Sequence, residues 1–178
     1  DKGGDDTYSI CYDVYKSKNN IYNEQTRRFE PLVFILVTDI YLSNAGVEET
    51  SIVVPQQINM QGSQVVWCER NAGGEQFGMS IAKKVRAKVE LYFSEGNKEA
   101  RIINSAGDVM SQIIFPLGWE SRWPKAFKEL NGFVRHFKAN AHDDVPDVLS
   151  SIVQREILCK NPTRGYVGYK HRGIRRVN

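Results

Sequence analysis

Basic and aromatic side chains alternate near the carboxyl-terminal end of the chain, in a pattern that can bind a polyanion. Lys and Arg neutralise phosphate groups, and aromatic rings and guanidinium planes stack on unpaired bases. The residues of this pattern are Arg164, Tyr166, Tyr169, Lys170, His171, Arg172, Arg175 and Arg176. A solvated basic terminus without a ligand is the alternative. The pattern predicts RNA or another polyanion as a binding partner.

Three further cations, Lys84, Arg86 and Lys88, lie within residues 77–93, where apolar and polar side chains alternate. A period of two is typical of a strand with one buried face, so the segment predicts one long strand that carries these cations on its exposed face. Side chains i and i+2 on a strand are about 7 Å apart, close to the phosphate spacing along a nucleic-acid strand. An ordinary hydrated sheet face is the alternative interpretation.

Two tryptophans, Trp119 and Trp123, flank Arg122 in the segment G-W-E-S-R-W-P. Indole rings at such a position can form an aromatic platform that stacks on a base, or can anchor a protein at a membrane interface. Packing in the hydrophobic core is the more common use of large rings, and it is the alternative here.

The histidines and acids of the segment H-F-K-A-N-A-H-D-D, namely His136, His142, Asp143 and Asp144, could form a metal site or an acid–base site. In the alternative interpretation, these residues have a structural role: a cation lies near the end of one helix, and a capping residue precedes the start of the next helix. No motif with metal-ligand or phosphate-loop spacing is present, so the sequence predicts no cofactor, no metal and no catalytic residue.

The three cysteines, Cys11, Cys68 and Cys159, are odd in number and widely spaced. They match neither a disulfide framework nor a zinc site, which predicts a reducing intracellular compartment, cytoplasmic or nuclear. One disulfide with one remaining thiol is left open. No apolar run is long enough to cross a bilayer.

The elements that must position these side chains are mainly strands, followed by helices. Alternating or β-branched runs predict strands at 8–15, 32–42, 51–54, 65–68, 77–93, 100–104 and 109–115. Apolar residues at helical spacing predict two late helices, at 124–138 and 145–160. This order predicts an α+β fold: a mainly antiparallel sheet, open barrel or sandwich of about 6–8 strands, followed by two carboxyl-terminal helices and a basic tail.

Composition and charge divide the chain into three parts. Residues 1–7 form an acidic lead-in that is predicted to be disordered, residues 8–160 form a single α+β domain, and residues 161–178 form a basic, flexible tail. The tail has five Lys or Arg and no acid, whereas the net charge of the whole chain is only +3. The domain is therefore nearly neutral, and this charge asymmetry favours a polyanionic partner.

The leading hypothesis is a non-enzymatic protein that binds RNA or another polyanion through the tail and the basic strand face. The layout of acidic lead-in, compact domain and basic tail resembles that of small viral assembly, matrix or RNA-handling proteins. The second hypothesis is a self-associating, homo-oligomeric structural protein, similar to a viral matrix protein, whose sheet edges and aromatic surface mediate assembly and whose tail contacts an anionic membrane surface or a nucleocapsid. The third hypothesis is an enzyme that uses residues 136–144.

Overall fold

The computed structural model describes residues 7–24, 27–70, 73–94, 96–134, 140, 143–158 and 176–177. Within these ranges the chain forms six strands, six α-helices and one π-helical turn. The predicted lead-in and tail lie outside the described residues, apart from Thr7 and residues 176–177. None of the helices in the described ranges is both long enough and apolar enough to span a bilayer.

A long antiparallel hairpin is the centre of the larger sheet. Strand β1 (Thr7–Asn23) pairs with β2 (Arg28–Ser43), and many residues of both strands are β-branched or aromatic, types that favour strands. The two-residue strand β5 (Ile113–Ile114) lies parallel to β2, and the two-residue strand β6 (Arg176–Val177) lies parallel to β1. The strand order is β5-β2-β1-β6.

A separate sheet consists of two parallel strands, β3 (Val65–Glu69) and β4 (Lys88–Tyr92). Helix α2 (Gly74–Ala82) lies in the connection between them, since a parallel pair requires a crossover. Gly78 lets this helix pack closely on both strands, because a Cβ atom there would lie 2.6 Å from Leu91 Cδ2 and 3.2 Å from Cys68 Sγ. The two strands end side by side, with the last residue of β3 opposite the last residue of β4.

The remaining helices pack around the two sheets. They are α1 (Val47–Gln61), α3 (Lys98–Gln112), α4 (Trp119–Arg122), α5 (Pro124–Gly132) and α6 (Asp144–Val153), which continues into a π-helical turn at Gln154–Leu158. The main core lies between the larger sheet and the late helices, where Ile35 and Val37 share one cluster with the fully buried Leu149. A smaller core joins α1 to α2.

The predicted architecture is wrong, although the protein is α+β. The sheet of 6–8 strands does not form, because the larger sheet consists of β5, β2 and β1 with the two residues of β6 at its edge, and β3 and β4 form a sheet of their own. The helices also do not follow the strands as a carboxyl-terminal pair, because α1, α2 and α3 are interspersed with the strands along the chain.

The predicted long strand at residues 77–93 is instead a helix followed by a short strand. Residues 74–82 belong to α2, and only residues 88–92 form a strand. Phe77 and Ile81 are four residues apart, a spacing that places two side chains on one face of either a helix or a strand. Met79, which strand geometry would place on the same buried face, is 58% exposed.

Three shorter predicted strands, at 51–54, 100–104 and 109–115, are also wrong apart from the two residues of β5. The first lies in α1, and the other two lie mainly in α3. Asn97 starts α3, because its Oδ1 atom accepts hydrogen bonds from the backbone N–H groups of Glu99 (2.8 Å) and Ala100 (3.4 Å). The strands predicted at 8–15, 32–42 and 65–68 and the starts of both late helices are confirmed.

Candidate functional site

Charged side chains gather where the carboxyl ends of β3 and β4 meet the first turns of α3 and α6. In open sheets of parallel strands, this edge is where ligands most often bind. We call the group the strand-end cluster; it consists of Glu69, Lys98, Arg101, Asp143, Asp144 and Asp147. All six residues are partly buried, so their charges are less screened than those of an ordinary surface.

Lys98 bridges two of the acids. Its Nζ atom lies 2.6 Å from Asp143 Oδ1 and 2.7 Å from Asp144 Oδ1. Burial lowers the pKa of Lys98, but the hydrogen bonds to Asp143 and Asp144 outweigh that effect, and its pKa lies above the ordinary value. The amine therefore stays protonated in the folded protein and links the start of α3 to the start of α6.

Arg101 and Asp147 form the most buried ion pair of the cluster. Arg101 Nη2 lies 2.8 Å from Asp147 Oδ1 and 2.9 Å from Oδ2, and the two side chains are only 11% and 14% exposed. Arg101 Nη1 also donates to the carbonyl oxygen of Gly96 at 3.2 Å. The buried Nε atom of Arg101 has no hydrogen-bond partner among the described residues.

Burial raises the pKa of Asp147 above its ordinary value. The hydrogen bond and charge of Arg101 act in the opposite direction, and the negative charge of Glu69 adds to the increase. A carboxyl group that is removed from water and lies near a second acid exchanges its proton closer to neutral pH than an exposed Asp does.

Local sequence explains why the two helices present these charges together. The acids in the first turn of α6, Asp144 and Asp147, interact favourably with the positive end of the helix dipole. Behind this turn, α3 contacts the end of α6 through Gln154 Nε2, which donates to Ser105 Oγ at 3.3 Å. This packing places the first turn of α3 beside the first turn of α6.

The π-helical turn adds a stacked cation next to the cluster. The guanidinium carbon of Arg155 lies 3.2 Å from the centroid of the Tyr92 ring and 5.0 Å from that of the Trp67 ring, within cation–π range. The next residue, Glu156, accepts a hydrogen bond from the Tyr12 hydroxyl at 3.0 Å. Burial and the charge of Glu156 together raise the pKa of Tyr12 well above its ordinary value.

The cluster combines acids that can bind a cation with bases that can bind an anion. No group of three His, Cys, Asp or Glu side chains in the described part of the chain is arranged to hold a metal ion by itself. Mg²⁺, however, commonly binds through one or two carboxylates, several waters and the phosphates of a substrate. Glu69 and Asp147 could take part in such a site.

The three cations predicted to share a strand face are exposed but do not form a ladder. Lys84 lies in the turn after α2, and its Nζ atom donates to the carbonyl oxygen of Ser51 at 2.8 Å. Arg86 lies in the same connection, whereas Lys88 begins β4 and forms an ion pair with Glu90 at 2.7 Å. The predicted strand face is therefore wrong, and polyanion binding by these residues stays a prediction.

The two tryptophans pack mainly against other protein side chains. Trp123 is 8% exposed and belongs to the main core. Trp119 stacks on Phe115 with ring centroids 4.1 Å apart and meets Phe127 edge-on at 5.0 Å. These contacts favour the core interpretation over an aromatic platform.

Most of the tail residues predicted to bind a polyanion lie outside the described residues. These are Arg164, Tyr166, Tyr169, Lys170, His171, Arg172 and Arg175, and Arg176 is described only as backbone of β6. His136 and His142 also lie outside them. Of the predicted metal or acid–base site, the structure therefore places only the two acids, and both belong to the strand-end cluster.

The sequence interpretation identified Asp143 and Asp144 as candidate site residues but missed Glu69, Lys98, Arg101 and Asp147. The signal for the two bases was their spacing of three residues, which places them on one face of a helix. The same spacing of three separates Asp144 and Asp147 in the first turn of α6. The signal for Glu69 was its position at the end of a short apolar strand.

No known protein family model matches the chain, and no curated protein matches its sequence significantly. The chemistry of the strand-end cluster is therefore the basis for the functional proposal.

Proposed function

We propose that the protein binds nucleic acid, or a polyanion of the same phosphate chemistry, and hydrolyses its phosphodiester bonds at the strand-end cluster. The observation that carries the proposal is the largely buried Asp147, which bonds through both oxygens to Arg101 and lies near Glu69 at the ends of two parallel strands. Desolvated carboxyl groups with a raised pKa are more frequent at catalytic sites than on ordinary surfaces. The proposal keeps the polyanionic partner predicted from the sequence and adds catalysis.

The acids of the strand-end cluster provide the ligands for a divalent cation, which such a reaction requires. A phosphodiester and a group of carboxylates repel each other, and a divalent cation between them removes the repulsion. Glu69 and Asp147 would hold a divalent cation such as Mg²⁺ together with the substrate, and the cation would polarise a phosphoryl oxygen and lower the pKa of the attacking water. The water oxygen bonds to phosphorus as the bond to the leaving sugar oxygen breaks, and a neighbouring carboxylate takes the proton of the water.

The two bases of the cluster supply positive charge where negative charge develops. Phosphoryl transfer spreads charge over the non-bridging oxygens, and fixed cations stabilise that charge. Lys98 and Arg101 are held by their hydrogen bonds to the acids before any substrate binds. Such preorganisation reduces the motion needed in the transition state.

Cations outside the cluster support the choice of a polyanion as substrate. Arg155 lies over the aromatic rings beside the cluster, and Lys84 and Arg86 are exposed on the same α2–β4 connection. The basic residues 164–176 of the sequence add further positive charge. Together they provide the sequence-independent contacts that bind a phosphate backbone.

A cleavage assay on the full chain tests the proposal. End-labelled single- and double-stranded DNA and RNA are incubated with the protein in Mg²⁺, in Mn²⁺ and in EDTA, and the products are separated on denaturing gels. We expect cleavage with a divalent cation and none in EDTA. Asp147→Asn removes the negative charge at nearly constant size and should lower the cleavage rate at least about 100-fold.

The control variant is Asp108→Asn, which changes an acid on α3 outside the cluster and should cleave at the wild-type rate. Binding of these nucleic acids without cleavage under any of the conditions would contradict catalysis and favour the non-enzymatic binding hypothesis. If the protein neither bound nor cleaved them, both hypotheses would be wrong.

Self-association is a second candidate function, supported by exposed apolar side chains at the outer end of the β1–β2 hairpin. Ile21, Tyr22, Phe29 and Leu32 are between 40% and 69% exposed. Contiguous apolar surface of this kind often marks an interaction site. We expect Phe29→Ser to lower the mass measured by sedimentation, with Met110→Ser, exposed on α3, as the control. A wild-type mass equal to one chain at every concentration would exclude this function.

A further inference from the structure

The outer end of the β1–β2 hairpin lies outside both hydrophobic cores. We call it the hairpin end; it consists of residues 16–24 and 27–32, all of them exposed or only partly buried. Neither core cluster contains a residue of these two ranges. Apolar side chains of the hairpin end therefore add little to the core, and their exposure indicates an interaction surface.

Hydrogen bonds hold the hairpin end in a defined shape. The strand pairing is irregular just before Asn20, and Ser17 spans the irregularity. The Ser17 Oγ atom accepts a hydrogen bond from the backbone N–H of Leu32 at 2.8 Å and donates one to the carbonyl oxygen of Asn19 at 2.7 Å. Antiparallel pairing resumes from Asn20 onward. The side chains beyond this point are therefore arranged before a ligand binds, which lowers the entropic cost of binding.

Two aromatic rings are exposed side by side on the hairpin end. Tyr22 and Phe29 are directly opposite each other on the two strands, and residues in this position share one face of a sheet. Their ring centroids are 5.3 Å apart, with an angle of 60° between the ring planes. The two residues are 49% and 69% exposed, so a ligand can reach both rings.

Basic side chains flank the two rings. The hairpin end contains four Lys or Arg and two Glu. All four cations are exposed, and they are Lys16, Lys18, Arg27 and Arg28. Cations that neutralise phosphates and rings that stack on bases are the two components of a surface that binds single-stranded nucleic acid.

We propose that the hairpin end binds single-stranded nucleic acid, with Tyr22 and Phe29 stacking on unpaired bases and the neighbouring cations contacting phosphates. This role rests on the nucleic-acid binding proposed above and specifies its class of substrate. Bases in a duplex are already stacked on one another, whereas those of a single strand offer their faces to aromatic rings. A second copy of the chain fits this surface less well, because a symmetric contact would bring like charges together.

Fluorescence anisotropy on the full chain tests the proposal, with EDTA present to prevent cleavage. The probes are a labelled oligouridine and an RNA duplex of the same length. Phe29→Leu keeps an apolar side chain but removes the ring, and it should weaken oligouridine binding at least about fivefold. Tyr22→Ala should have an effect of similar size. The matched control is Phe29→Tyr, which keeps a ring and should bind oligouridine like the wild type. Duplex binding should change less than about twofold in all three variants.

The cations are tested by the salt dependence of oligouridine binding. Each phosphate contact on a single strand contributes about −0.7 to the slope of log K against log salt. The double change Lys18→Ala and Arg28→Ala should therefore reduce the magnitude of the slope by about 1.4. An unchanged slope would contradict phosphate contacts at the hairpin end.

The possible outcomes separate this proposal from the proposed function. If the wild type binds oligouridine and both Phe29→Leu and Tyr22→Ala bind it equally well, the proposal is overturned and nucleic-acid binding elsewhere on the protein stands. Equal losses on oligouridine and on the duplex would also overturn it, because the hairpin would then bind a groove of the duplex. If the wild type binds neither probe, nucleic-acid binding itself is wrong. A sedimentation mass that falls in Phe29→Leu, with unchanged oligouridine binding, would assign the surface to self-association instead.

Discussion

One carboxyl group, that of Asp147, determines an expected pH dependence of stability. Burial raises its pKa in the folded protein above the ordinary value of 3.8. Between the pKa of Asp147 in the unfolded state and its higher pKa in the folded state, the folded protein binds more protons than the unfolded protein. The free energy of unfolding therefore falls as pH rises through this range. Below the unfolded pKa both states are protonated, and the contribution is constant.

Asp147→Asn should abolish this decline. The free energy of unfolding of the wild type minus that of the variant should become smaller as pH rises above about 4. Urea denaturation at a series of pH values measures the difference, with Asp108→Asn as the control. A difference that grows with pH would show that the ion pair with Arg101 outweighs burial and that the pKa is lowered.

The thiol of Cys11 should be chemically inert in the folded protein. The residue is buried, and burial raises its pKa from 9.0 to about 11. Since the thiolate is the nucleophile, alkylation by iodoacetamide at about pH 8 should be at least about 100-fold slower than in the urea-unfolded chain. Mass spectrometry of the peptide containing Cys11 measures both rates. Comparable rates would mean that the reagent reaches this residue in the native state.

Buried positions were predicted correctly where the spacing of apolar residues matched only one type of secondary structure. Leu149, Ile152 and Val153 were expected on the apolar face of a late helix, and all three are buried. Phe77 and Val89 were expected to be buried on a long strand, but both are only partly buried. Their environment depends on neighbouring segments that no local pattern describes.

At the scale of elements, the wrong secondary-structure predictions arise from residue spacings that fit both a helix and a strand. Side chains four residues apart lie on one face of a helix and also on one face of a strand. Phe77, Ile81 and Val85 are spaced in this way, so only the intervening Met79 distinguishes the two elements. The cap formed by Asn97 was a local signal for a helix, and it conflicts with the strand predicted at 100–104.

Two glycines in helices should respond in opposite ways to the same substitution. In Gly78→Ala the new Cβ atom meets Leu91 Cδ2 at 2.6 Å, so overpacking should destabilise the protein by about 1–3 kcal/mol, less what the helix gains from Ala. In Gly107→Ala the Cβ atom meets no atom within 4 Å, and α3 should be stabilised by about 0.5–1 kcal/mol. Urea denaturation compares the variants. Equal changes in stability would contradict the close packing of α2 on its strands.

At the scale of the whole molecule, most of the candidate site could not be predicted from local sequence patterns. Asp143 and Asp144 were found from their own segment, but Lys98 lies more than forty residues earlier in the chain. Its contact with them depends on the packing of α3 against α6, and the approach of Glu69 depends on the position of β3. Such distant contacts follow from the observed topology, which differs from that of the predicted antiparallel sheet.

Lys84 and Arg86 on the α2–β4 connection and Lys88 at the start of β4 should contribute to the salt dependence of nucleic-acid binding. Each phosphate contact contributes about −0.7 to the slope of log K against log salt on single strands, so loss of three contacts should reduce the slope by about 2. The triple change Lys84→Ala, Arg86→Ala and Lys88→Ala removes these cations. Fluorescence anisotropy between about 50 and 200 mM salt measures the slope. An unchanged slope would show that these side chains do not contact phosphate.

The π-helical turn at Gln154–Leu158 holds both sheets through two neighbouring residues. Arg155 lies over aromatic rings of the smaller sheet, and Glu156 is bonded to Tyr12 of the larger one. Separation of either sheet from this turn disturbs the backbone that positions the contact with the other. We therefore expect the two sheets to melt together as one cooperative unit instead of as two foldons of different stability.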